Sequence, residues 1–132
     1  MTARKSSEQP IEPTRAELEI LQVLWKHGPS TVRFVNEKLN EEKREVNYTS
    51  TLKLMQIMLD KGLLTRDDSE MKHVYASAEE ESKTKSFLLE KFVENLYEGS
   101  ASNLMMQLLG NKKTSKKELD AIKALIEKAS KK

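Results

Sequence analysis

Helical periodicity through most of 132 residues, broken once near the middle by two short strand-like runs, predicts a mainly α fold with a small β-hairpin. Stop signals divide it further. Gly28-Pro29 and Gly62 cut the first half into three short helices, and a second, wholly helical half begins after the acidic run Glu79 to Glu81. The expected organisation is a flexible tail over residues 1–12, a first domain over 13–78 and a helical domain over 79–132.

Thr14 opens the first helix as a cap, with Glu17 three residues on as the return half of a capping box. Leu18, Leu21, Leu24 and Trp25 then recur at helical spacing until Gly28-Pro29 ends the element. Ser30 or Thr31 caps a second helix that carries Val32, Val35 and Leu39 on one face and ends around Asn40, in the charged loop 41–45. A third runs from about Tyr48 to Lys61, with Thr51, Leu52, Met55, Met58 and Leu59 facing inward. Leu63 to Arg66 and Lys72 to Ala76 read as strands joined by a polar turn, 67–71, that lacks a glycine. Three helices followed by a hairpin are the parts of a winged helix, a helix-turn-helix variant.

From Ser82 the pattern is helical throughout. Leu88, Phe92 and Leu96 form one row and Leu89, Val93 and Tyr97 the next, and Gly99 interrupts them. Asn103 to Leu109 has almost no polar face, so such a helix needs cover nearly all round. Ser115 and Glu118 form a second capping box, opening a last helix with Leu119, Ile122, Leu125, Ile126 and Ala129 on one side and with Lys131 and Lys132 suiting its C-terminal dipole. Three helices in so few residues cannot build a large core, which favours pairing with a second copy through Leu88, Phe92, Leu96, Leu104, Leu108, Leu119 and Ile122. A monomeric bundle folded back on the first domain is the competing arrangement.

The composition narrows the function classes. With 37% hydrophobic and 33% charged residues and no cysteine, the chain is a folded, well-solvated protein without disulfides, thiolate metal sites or a cysteine nucleophile. The polar N-terminus lacks a signal-peptide stretch and no run reaches bilayer length, so the expected location is cytoplasmic. His27 and His73 have no ligand-spaced partner, which argues against a metal. His27, before Gly28, suits the free carbonyls of a helix end, and His73 either covers the hairpin surface or meets a phosphate. Asp67-Asp68 and Glu79 to Glu81 read as solvated surface acids; Met55, Met58, Met105 and Met106 fall at core spacing. With no phosphate-cradling glycine loop or nucleophile elbow, neither an enzyme nor a cofactor is expected.

The third helix carries the chemistry. Opposite its apolar row stand Tyr48, Thr49, Ser50, Lys53 and Gln56, whose hydroxyl, amide and ammonium groups suit phosphates and base edges in a major groove. A polar face is also what any half-buried helix shows to solvent. Charge does not decide between the two, because the net +2 divides into 12 basic against 15 acidic residues over 1–81 and 11 against 6 over 82–132.

The run from Thr14 to Pro29 resembles the opening helix of the penicillinase repressors, the BlaI/MecI family. Tyr48 to Leu52 and Leu59 to Leu64 resemble that family's recognition helix and its exit, and Phe92-Val93 through Glu98-Gly99-Ser100-Ala101 the start of its dimerisation region. The similarity spans residues 14 to about 128. It implies a homodimeric repressor that covers a palindromic operator in double-stranded DNA and is inactivated by signal-dependent proteolysis. A membrane sensor metallopeptidase triggers that proteolysis in the best-known members, and the aligned position here is Gln107-Leu108, although the family's Asn-Phe pair is absent. The copper-responsive branch requires cysteines, which this chain lacks. The hairpin turn has Glu70-Met71 where the family commonly carries Gly-Arg, so phosphate contact falls to Lys72 or Arg66; Ile57 stands where arginine is common. Those lost charges leave a second reading, a winged-helix dimer acting as a protein-interaction module without specific DNA binding.

Overall fold

The computed structural model describes residues 11–111 and 115–130, the side chains of the last two excepted. Most of the expected tail, Lys131, Lys132 and the side chain of Ala129 therefore lie outside the described residues. Six helices and one hairpin follow in the order α1 (Arg15–His27), α2 (Val32–Glu42), α3 (Tyr48–Lys61), β1 (Leu64–Asp67), β2 (Val74–Ser77), α4 (Glu81–Tyr97), α5 (Ala101–Gly110) and α6 (Lys116–Ser130). Contacts divide the chain into two compact units, one ending at Phe87 and the other beginning at Leu88.

In the first unit the helix ends are set by side chains. The Thr14 hydroxyl accepts from Glu17 N at 3.2 Å while Glu17 Oε1 accepts from Thr14 N at 2.9 Å, so the expected capping box closes both ways. Thr31, not Ser30, caps α2, because the Ser30 hydroxyl donates to Gly28 O and its backbone bridges to Tyr75. That helix continues two residues past Asn40, to Glu42. Gly62 ends α3 in the left-handed region (φ 89°, ψ 12°), where its N–H reaches the carbonyls of Met58 and Leu59.

The hairpin differs from expectation by one or two residues at each strand. Its register pairs Arg66 with Tyr75 and Asp67 with Val74, so β2 starts at Val74, and Lys72 and His73 belong to the turn. Asp67 supplies the turn chemistry that glycine does not: its Oδ1 accepts from Ser69 N at 2.9 Å. Tyr75, 1% exposed, fixes the register by plugging the hairpin into the core, and paired backbone bonds of 2.9 and 2.8 Å join it to Ser30.

The core contains Ile20, Leu21, Val23 and Leu24 of α1, Val32, Val35 and Leu39 of α2, Met55 and Met58 of α3, and Leu63, Leu64 and Tyr75, with Trp25, Leu52 and Leu59 packed half-buried against it. One charged group is buried with them. Glu17, 1% exposed, places Oε2 2.7 Å from Lys61 Nζ and so ties the start of α1 to the end of α3. Burial raises the pKa of this carboxyl, but Lys61 and the Thr14 backbone and hydroxyl together outweigh it and hold the group below the usual glutamate range.

The second unit lacks such a centre. Among its described residues no side chain is buried: Leu88, Val93, Leu104, Leu119 and Ile122 are half-covered, and Leu89, Phe92, Leu96, Leu125 and Ile126 are exposed. Glu98 (φ 49°) and Gly99 (φ 83°) turn the chain out of α4, and Ser100 caps α5 by accepting from Asn103 N. Ser115 Oγ accepts from Glu118 N, which is one half of the expected box. Met55 and Met58 are core residues as expected, whereas Met105 is half-buried and Met106 is 72% exposed, because no described residue of this unit covers the outer side of α5.

Candidate nucleic-acid interface

Three asparagines fix where α3 begins. Asn47 caps it, with Oδ1 accepting from Ser50 N at 2.8 Å. Asn36 Nδ2 donates to Val46 O and to the Thr51 hydroxyl, and Asn40 holds Val46 by both its N–H and its carbonyl. The helix is thus pinned to α2 at its first turn and to α1 by the Glu17 ion pair at its last. Sequence reasoning missed all of these, although Asn36 and Asn40, four apart on one helical face, were a legible signal.

On that rigid helix Thr49, Ser50, Lys53 and Gln56 are exposed and share the face opposite Thr51, Met55 and Met58, as the periodicity predicts. Ile57, 40% exposed, joins them. Tyr48 stands apart, about 100° round the helix from Thr49 on the side away from Ser50 and Lys53. Its ring lies under the Arg33 guanidinium of α2, 5.1 Å from carbon to centroid.

The hairpin residues are placed unequally. Arg66 Nε is 2.9 Å from Asp68 Oδ1, and hydrogen bonding to Tyr75 and then to Asp68 raises its pKa, so this guanidinium is engaged within the hairpin. His73 Nδ1 lies 2.7 Å from the same Asp68 oxygen. Burial works against the Asp68 charge, but His73 and Arg66 prevail and its pKa falls. Asp67 and Asp68 are exposed, as expected of surface acids, and in addition organise the hairpin turn. His27 likewise departs from expectation: its Nε2 turns to Glu42, 3.1 Å away, instead of to the carbonyls of α1. Lys72 points to no acid among the described residues, and neither do Lys53 or Arg33.

Beside α3 lies an open cleft of about 360 Å³, lined among others by Thr31, Arg33, Tyr48, Lys72, His73 and Tyr75. Residues from the starts of α2 and α3 and from the hairpin turn meet there. Among the described residues no three His, Asp or Glu side chains are grouped to hold a metal ion.

The residues expected to pair two copies all fall in the second unit. Leu88, Leu104, Leu119 and Ile122 are half-buried; Phe92, Leu96 and Leu108 are 47%, 61% and 40% exposed. Gln107-Leu108 sits inside α5, with both residues exposed. No helix of the described residues is long and apolar enough to cross a membrane.

The sequence profile of the penicillinase repressor family matches residues 13–128. The penicillinase repressor of Bacillus licheniformis is 28% identical over 118 residues, covering 85% of this chain and 87% of that protein. The match takes in both units, from the cap of α1 into α6. The chain belongs to the penicillinase repressor family, and with it to the DNA-binding transcriptional repressors rather than to an enzyme class.

Proposed function

We propose that this chain acts in the cytoplasm as a homodimer that binds a palindromic operator in double-stranded DNA and represses the genes beside it. The observation that carries the reading is the outer face of α3, where Thr49, Ser50, Lys53 and Gln56 stand exposed on a helix anchored at both ends. An α-helix fills a major groove, and side chains of these types donate to and accept from base edges and phosphates. Lys72 adds a cation from the hairpin turn; Arg66 and His73 contribute if the phosphate competes with Asp68. The second unit pairs two copies through Leu88, Phe92, Leu96, Leu104, Leu108, Leu119 and Ile122, because its apolar helices are left uncovered within one chain. Pairing sets the spacing of two half-sites.

Release follows a cut at or near Gln107-Leu108, made in response to a membrane sensor metallopeptidase. Because proteases take extended substrate and this bond lies within α5, cutting requires local opening of that helix. The test of the function is nuclease protection of DNA upstream of the chain's own gene. A protected, two-fold symmetric site whose occupancy falls with salt supports it. Binding that depends on neither sequence nor salt would favour a protein-interaction dimer instead.

A further inference from the structure

Arg33 belongs neither to the polar row of α3 nor to the hairpin, and no role has so far fallen to it. Its guanidinium lies over the face of Tyr48, an arrangement that steadies a long side chain while using none of its five N–H donors. It lines the same cleft of about 360 Å³ as Thr31, Lys72 and His73. Neither Arg33 nor Lys72 has an acid partner among the described residues, and the first turns of α2 and α3 carry no acid. The cleft is therefore concave and carries two cations, Arg33 and Lys72, without an acid partner among the described residues, and it lies beside the helix face suited to a major groove. Phosphates border such a groove on both sides.

We propose that this cleft seats one backbone phosphate of the operator in each half-site, with Arg33 and Lys72 as its ligands, and that Tyr48 positions Arg33 and does not read a base. The inference rests on α3 being the DNA-reading helix. It divides the labour on that helix: Thr49, Ser50, Lys53 and Gln56 face the groove, while Tyr48, about 100° round the helix from Thr49, faces the cleft. His73 is left out of the ligand set because Asp68 already holds its Nδ1 at 2.7 Å.

The test uses the full chain and operator duplexes in which single phosphates are replaced, one at a time, by neutral methylphosphonates. The unaltered chain loses roughly tenfold in affinity at one position per half-site, the scale of one charge-assisted contact. Arg33→Ala binds the native operator about tenfold more weakly per half-site, distinguishes that duplex from the native one by several-fold less than the unaltered chain does, and lowers the log-log salt slope by about 0.9 per protomer. Tyr48→Ala follows Arg33→Ala, whereas Tyr48→Phe, which keeps the ring face, behaves as the unaltered chain; base preference is the same in all. Both side chains are exposed, so the fold should survive, and circular dichroism checks that it does.

An Arg33→Ala profile identical to that of the unaltered chain overturns the inference, as does a Tyr48→Ala variant with changed base preference and an unchanged profile. Either result leaves operator binding by α3 standing. Absence of any operator complex overturns the proposed function, and this inference with it. A DNA-free titration with inorganic phosphate at constant ionic strength separates the sources: no saturable binding is expected, and a saturable site lost in Arg33→Ala would assign the cleft to a small anion instead.

Discussion

Between Ile20 and Tyr75 twelve apolar side chains are buried in one core, although Ile57 and Met71 stay exposed, whereas from Leu88 onward no described side chain is buried. Both stretches are rich in leucine and methionine at helical spacing, so composition does not explain the difference. Geometry does. Three helices and a hairpin converge on one point, and Tyr75 closes it, while the described apolar side chains of the second unit are only half-covered or exposed. Stability in the first unit is thus a property of one chain, and under the proposed dimerisation that of the second would depend on concentration.

The largest effect should come from breaking the first core. Leu21→Ala, at a side chain 1% exposed, removes packing that cannot be replaced and is expected to cost about 2 to 5 kcal/mol in denaturant unfolding, at any protein concentration. The same kind of change in the second unit should behave differently. Leu96→Asp, at 61% exposure, is expected to leave the first unit's melting unchanged and to weaken dimerisation by roughly a hundredfold, about 2.7 kcal/mol, as read by sedimentation. A Leu96→Asp chain that remains dimeric would place the interface elsewhere.

Smaller and specific to acid is the link between Glu17 and Lys61. Lys61→Met strands a buried carboxylate and should cost about 1 to 3 kcal/mol at neutral pH, discounted toward the lower end because Lys61 is 38% exposed. The folded pKa of Glu17 is depressed, so its contribution is present above the unfolded value, near 4.3, and is lost as pH falls through the folded one. In Lys61→Met, burial is left less opposed, the folded pKa rises, and acid unfolding should begin at a higher pH than in the unaltered chain. An unchanged acid transition would mean the ion pair does not act on stability.

The smallest effect concerns recognition. Thr49→Ala should reduce operator affinity by about 1 kcal/mol, since a hydroxyl offers one contact where a bidentate pair offers two, with no change in unfolding. Binding titrations of Thr49→Ala and Lys53→Ala that both match the unaltered chain would remove α3 from the interface.

Most of the fold was legible because its signals are local. The Thr14 capping box, the bounds of α3 and the glycine stop at position 62 all depend on neighbours within four residues, and these agree with the sequence reading. What failed to show were contacts across the chain. Lys61 pairs with Glu17 over 44 positions, and Trp25 Nε1 donates to the Ser77 hydroxyl over 52, and neither leaves a mark in periodicity. The hairpin bounds slipped for the same reason: Tyr75 is placed by Ser30, an isolated bridge from the turn after α1. At the candidate site the polar row of α3 was readable, because helical spacing alone puts Thr49, Ser50, Lys53 and Gln56 together. Arg33 was not, since its place over Tyr48 follows from how α2 crosses α3.

In the proposed function the first unit folds alone, the second needs a copy of itself, and tight DNA binding requires both. A chain ending after Phe87 tests this directly, because it retains the whole core together with the buried Thr84. Sedimentation and operator titration of that fragment beside the full chain should show a folded monomer with two weak, independent binding events in place of one tight one, and affinity reduced by about two orders of magnitude or more. A fragment that is monomeric yet binds the operator as tightly as the full chain, or one that is still a dimer, would contradict it.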